Sequence, residues 1–206
     1  THETRARRSI ANVSGIKSLA TMMVTMNISC LPVSYFREIS AGRMSVADWL
    51  DFAAELRLDG VECSPVLIQP LGPMKPTDFR RLAESRGLLI SNFTAYSDFT
   101  LPDATARSAE IDHMISDLHI ARELGAPSVR ILTGQQRAGM EVDQGISWVA
   151  DSIRRVAEKG DQLGIHVNLE NHTKAFTWQS FDFAMRGRIF LKVMEELQDS
   201  PVGVQF

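Results

Sequence analysis

Six short apolar runs recur along the chain, each followed by a stretch of helical period. This beat restricts the fold more than any other feature. The runs are residues 24–32 (VTMNISCLP), 58–65 (LDGVECSP), 87–96 (GLLISNFTAY), 127–134 (PSVRILTG), 164–172 (GIHVNLENH) and 201–206 (PVGVQF). Between them, SVADWLDFAAELRL sets Val46, Trp49, Leu50, Ala53 and Leu56 on one helical face, with Ser45 and Asp48 at capping-box spacing. PTDFRRLAESRG turns Phe79 and Leu82 inward and stops at Gly87. A longer helix puts Ile111, Met114, Ile115, Leu118, Ala121 and Leu124 on one stripe before Gly125. The next carries Trp148, Ile153, Val156 and Leu163 to Gly164, and FLKVMEELQDS forms the last. A strand and a helix every ~30–40 residues is the size of a βα unit in a parallel sheet.

Such units build either an open doubly wound sheet or a closed (β/α)8 barrel. No GxGxxG turn follows the first strand. Polar residues sit near the C-terminal ends of several strands, at Glu62, Asn92, Arg130 and Glu170. In a barrel these ends form one mouth, where the chemistry is placed. The expected fold is therefore α/β, a (β/α)8 TIM-barrel type with about six of its eight units present. A complete barrel takes about 250 residues and this chain has 206. The expected division is a flexible or non-native extension over 1–22, which is basic and polar, then an incomplete barrel over 23–206. About two further units are expected past Phe206.

The formal net charge of −3 gives no reason to expect nucleic acid or an anionic membrane as partner. No apolar run is long enough to span a bilayer. Cys30 and Cys63 make no framework, so both are expected to be buried thiols in a reducing, cytoplasmic setting. An unclosed parallel sheet exposes its edges, so association with a second copy of the chain is expected.

The fifth strand, IHVNLENH, defines the chemistry. Ile165, Val167 and Leu169 share one face, while His166, Asn168, Glu170 and His172 share the other. An interior polar face explains this if Glu170 and His172 reach the mouth. Glu170 can accept a proton or bind a hard cation; alternatively it pairs with an arginine. His172 can ligate metal, bond a substrate hydroxyl, or be a loop residue. His166, deeper in the strand, is read as a satisfied interior residue, and Asn168 as an orienting partner for Glu170. Arg130 on an inner face needs a partner, either Glu170 or Glu62, or a substrate oxygen. Glu62 and Asn92 can bond a polar ligand or serve the framework. Asp98 can do the same or cap the next helix. His113 and His119 fall within a helix as surface or packing residues. There is no GxSxG, P-loop or CxxC.

Together GVE, the DF after strand three, LGAPSVRILTG, LENH and VGVQF resemble the xylose isomerase-like TIM barrels, a superfamily of sugar-phosphate isomerases and epimerases, hydroxypyruvate isomerases and AP endonucleases. The resemblance runs from about Met26 to Phe206. It implies that Glu170 is a divalent-metal ligand (Mn, Mg, Co or Zn) and acid/base, and that His172 contacts substrate. The family's second ligand, an Asp, would follow Phe206, and two later ligands are also absent. The implied substrate is a small sugar or sugar phosphate, changed by proton transfer beside its carbonyl or by a hydride shift. Two rivals remain: a non-catalytic truncated barrel or binding protein, and a zinc phosphodiesterase acting on DNA. Asn92 where strand three would need a His, and the negative charge, count against the latter. The segment TKAFTWQSFDFAMRGRIF is expected to be a lid or a divergent helix.

Overall fold

The computed structural model describes residues 26–69, 71–175 and 178–205. The expected extension over 1–22 lies outside them. Six strands occur, each within its expected run: β1 Ser29–Cys30, β2 Gly60–Cys63, β3 Leu89–Thr94, β4 Ser128–Ile131, β5 His166–Glu170 and β6 Val202–Gln205. The helices are α1 Phe36–Ser40, α2 Val46–Glu55, α3 Pro76–Glu84, α4 Ala104–Leu124, α5 Val142–Leu163 and α6 Gly187–Glu196.

Local chemistry sets most boundaries. At the start of α2, Ser45 and Asp48 exchange side chain to backbone bonds of 3.0 and 2.8 Å, the expected capping box. Asp103 caps α4 by accepting the Ala106 N–H at 2.7 Å. Gly125 and Gly164 end α4 and α5 at φ of 75° and 70°, a left-handed conformation that other residues adopt reluctantly. Two expectations about the helices need correcting. Leu56 is 54% exposed, because α2 stops at Glu55 and Arg57 turns the chain at φ 57°. The helix α5 begins at Val142, one turn before the expected start. The helix α1 was not foreseen, since five residues are too few to show a helical period.

All strand pairs are parallel, and the sheet order is β1-β2-β3-β4-β5-β6. A doubly wound sheet would reverse its order at a switch point. This one advances in a single direction, as the wall of a barrel does. The helices follow suit: α2, α3, α4, α5 and α6 each pack on the next, so they line one face of the arc. That face carries the core. Val61, Ile90, Phe93, Val129, Ile131, Val167 and Leu169 are buried against helix residues such as Trp49, Phe79, Met114, Ile153 and Val193. Each such burial contributes roughly 1.5–3 kcal/mol.

The outward residues Val167 and Leu169 of β5, and Ile165 just before it, are buried, as the alternation requires. His166 is exposed, which corrects the expectation of a satisfied interior residue. It lies at the N-terminal end of the arc opposite Ser128, whose side chain is too small to cover an imidazole. Both cysteines are free; Cys63 is buried but Cys30 is exposed, contrary to expectation, because β1 is the edge strand.

Candidate active site at the mouth of the arc

The inner face carries polar residues in cross-strand register. Glu62 lies opposite Asn92, Thr94 opposite Arg130, and Arg130 opposite Asn168. Two clusters result. In the first, Thr94 Oγ1 and Asn92 Nδ2 donate to Glu62 Oε2 at 2.8 and 3.2 Å, and Ser128 Oγ donates to Asn92 Oδ1 at 2.9 Å. Glu62 and Asn92 thus serve each other in the barrel wall.

In the second cluster, Arg130 Nε lies 2.8 Å from Glu170 Oε2, and His172 Nδ1 lies 3.1 Å from Glu170 Oε1. Of the two partners open to Arg130, the structure selects Glu170. Arg130 is 4% exposed, donates through Nη1 to the Ala95 carbonyl at 3.0 Å, and has its guanidinium 5.0 Å from the Tyr96 ring centre. Burial alone pushes the Glu170 carboxyl up. The His172 hydrogen bond and the charges of Arg130 and His172 outweigh it and hold the group below its ordinary value. With Nδ1 turned to a carboxylate, which can only accept, the neutral His172 tautomer leaves Nε2 as an acceptor.

Asn168 does not orient Glu170: the partners of Glu170 are Arg130 and His172, and Asn168 Oδ1 instead fills the space above Gly203 of β6. Among the described residues Asp98 caps no helix; it forms an ion pair with Arg137 at 2.9 Å and accepts from Gln135 Nε2 at 3.0 Å. His113 and His119 lie on α4 and are exposed.

Sequence reasoning did not single out Asp182. Its carboxyl is buried, and its Oδ1 accepts from Thr133 Oγ1 and from the Ala184 N–H, both at 2.7 Å. The Asp182 N–H donates to the Thr173 carbonyl at 2.8 Å, and the Phe183 N–H donates to Gly134 at 2.7 Å. The Thr133 and Gly134 bonds pin the segment after β5 to the loop after β4. Trp178 and Ala175 pack on Leu132 and Tyr96 beside the Arg130 guanidinium. In its described part this segment holds no helix before Gly187. Its only trace in sequence is an acid set between two phenylalanines, Phe181 and Phe183.

A hollow of about 480 Å³ lies at the other end of the strands, around Ile28, Asp59, Leu88 and Leu89. Its charged groups have partners: Arg80 pairs with Glu84 at 2.7 Å, and Asp59 accepts the Ile28 backbone N–H at 2.8 Å. The reactive groups are at the mouth, so the candidate site is placed there.

The profile of the xylose isomerase-like TIM barrel family matches residues 50–206. The chain belongs to this family. No curated protein matches the sequence at a significant level. Solved structures match it throughout the fold. A probable 3-DHS dehydratase involved in petrobactin synthesis from Bacillus anthracis is 17% identical with a TM-score of 0.67, over 87% of this chain and 62% of that one. An L-ribulose 3-epimerase is 14% identical with a TM-score of 0.68, over 87% and 60%. A sugar phosphate isomerase/epimerase from Parabacteroides distasonis is 12% identical with a TM-score of 0.65, over 92% and 68%. At these identities the likeness establishes the fold, a xylose isomerase-like barrel of which five βα units and a sixth strand are described. The chain spans 62% and 60% of the first two structures. No helix among the described residues is long and apolar enough to cross a membrane.

A divalent ion is implied by the family resemblance, and the described residues do not fit one by themselves. No group of three or more His, Cys, Asp or Glu side chains converges among them. Glu170 offers one hard carboxylate, and both its oxygens are engaged by Arg130 and His172. A cation there needs further ligands.

Proposed function

We propose that this chain is the larger part of an isomerase or epimerase of keto or aldo sugars, their phosphates, or small hydroxy-carbonyl compounds. The reaction is proton transfer at the carbon next to a carbonyl, with Glu170 as the group that removes or returns the proton: delivery to the neighbouring carbon gives isomerisation, and epimerisation takes a second acid on the opposite face. The observation that carries this reading is the Arg130–Glu170–His172 set at the end of β5, in a member of the xylose isomerase-like family. Arg130 holds Glu170 as a weak base. A substrate oxygen that draws the guanidinium toward itself loosens this hold and raises the basicity of Glu170 at the reacting carbon. His172, through Nε2, orients a neighbouring hydroxyl, and Tyr96 and Trp178 form the apolar rim. A Mn, Mg, Co or Zn ion would need ligands beyond these residues, and Glu170 would serve it only by releasing an oxygen from Arg130 or His172; no step here depends on it.

The test is exchange of carbon-bound hydrogen with deuterium from D2O. It is followed by NMR over a panel of ketoses, ketose phosphates and hydroxy-carbonyl compounds, with each divalent ion added in turn. The reading expects exchange that falls at least about 100-fold in Glu170→Gln. Exchange that is absent, or equal in the variant, removes it. The second reading, binding without chemistry, is favoured by the engagement of both Glu170 oxygens, and it predicts saturable sugar binding with no exchange.

A further inference from the structure

Away from Glu170, a cavity of about 190 Å³ is walled by Phe36, Val66, Leu71 and Tyr96, with His113 and Asp117 of α4 on the remaining side. Asp117 is 4% exposed, and its Oδ2 has no hydrogen-bond partner among the described residues. The charges acting on it are those of His113 and Glu110, and His113 Nδ1 lies 3.7 Å from Glu110 Oε2. Burial pushes the Asp117 carboxyl up to about 6, so at neutral pH it is ionised in a largely apolar wall. A buried carboxylate without a donor is costly, and the lack of one here points to a donor that enters the cavity.

Three kinds of donor can be weighed. A water needs two to four polar partners and takes up only ~30 Å³, whereas this space is larger and mostly apolar. A hard metal ion needs about six to eight oxygen ligands, and the cavity offers one carboxylate. An alkylammonium needs one anionic acceptor for its head and apolar walls for its body.

We propose that this cavity is a binding site for a small organic ammonium ion, with its head on the Asp117 carboxylate and its aliphatic body against Phe36, Val66 and Leu71. The site is separate from the Glu170 centre but shares the Tyr96 ring with it, since Tyr96 also faces Arg130. It stands whether or not the isomerase reading does.

The experiment is calorimetric titration of the 206-residue chain with n-butylammonium chloride, and with n-butanol as the neutral counterpart of the same shape. One-to-one, saturable butylammonium binding is expected. It should weaken at least about tenfold in Asp117→Asn and for butanol, the loss of one charge-assisted hydrogen bond. Leu71→Trp places a bulkier ring at an exposed wall residue of the cavity and is expected to weaken binding by a similar factor. Thermal unfolding checks that each variant is folded. No saturable binding by the unmodified chain overturns the proposal. So does butanol binding as tightly as butylammonium, or an affinity left unchanged in both folded variants.

Discussion

Arg130 Nε and Glu170 Oε2 lie 2.8 Å apart across β4 and β5, and the two ends of this ion pair are buried unequally. The Arg130 side chain is 5% exposed and that of Glu170 21%. Removing one partner of a buried pair costs about 3–5 kcal/mol because the other charge stays behind unpaired. Glu170→Ala strands the more buried charge, whereas Arg130→Met leaves a carboxylate that water and His172 can reach. Urea unfolding at pH 7.5 is expected to show the larger loss for Glu170→Ala, about 3 kcal/mol. Equal losses would mean that the two charges are equally enclosed, and a larger one for Arg130→Met that Glu170 is the more enclosed partner.

The register of β5 and β6 rests on a residue without a side chain. Asn168 lies opposite Gly203, and a Cβ on Gly203 would overlap Asn168 Oδ1. Gly203→Ala is expected to destabilise by about 1–3 kcal/mol through overpacking. Asn168→Ala should recover most of this loss in the double variant, giving a coupling energy above about 1 kcal/mol. Additive losses would show that the two positions do not face each other.

How much of this was legible in the sequence depended on the distance over which the cause acts. The faces of β5 follow from alternation, and burial of Ile165, Val167 and Leu169 matches it. The capping box at Ser45 and the glycine stops at Gly125 and Gly164 are equally local. The partner of Arg130 was open between Glu62 and Glu170, because the choice depends on how neighbouring strands are staggered. That stagger places Arg130 opposite Asn168 and brings Glu170 within reach, while Glu62 is taken by Thr94. Asp182 left almost no signal, since its partner Thr133 is 49 residues away and comes near only when two loops fold together.

Acid should weaken the hold on Glu170. Its carboxyl sits below the ordinary value in the folded chain, so the stability it contributes is present above the unfolded value and lost as pH falls through the folded one. Glu170→Gln is expected to be less stable than the unmodified chain at pH 7.5, with the gap narrowing below about pH 4.3, the unfolded value for Glu. Thermal unfolding from pH 7.5 to 3 measures this. A gap constant with pH would show that the carboxyl is not held in its ionised form.

Asp182 should act in the opposite sense and at higher pH. Its Oδ1 accepts two hydrogen bonds, but Oδ2 has no partner among the described residues. Burial dominates and pushes the carboxyl up to about 6, against the hydrogen bonds from Thr133 and Ala184 and the charge of His172. The unfolded chain releases this proton near the ordinary Asp value of about 3.9. Between those values the folded state binds more protons, so stability falls as pH rises from about 4 to 6 and stays reduced above that. Asp117, also raised to about 6 by burial, adds to the same slope. Asp182→Asn keeps the Oδ1 acceptor and removes the charge. It is expected to unfold with a flatter dependence over this window and to be more stable than the unmodified chain at pH 7.5 by about 2 kcal/mol. Should the variant instead be less stable at pH 7.5 with the slope intact, Asp182 is held as a paired carboxylate, and the clamp between the two loops depends on its charge.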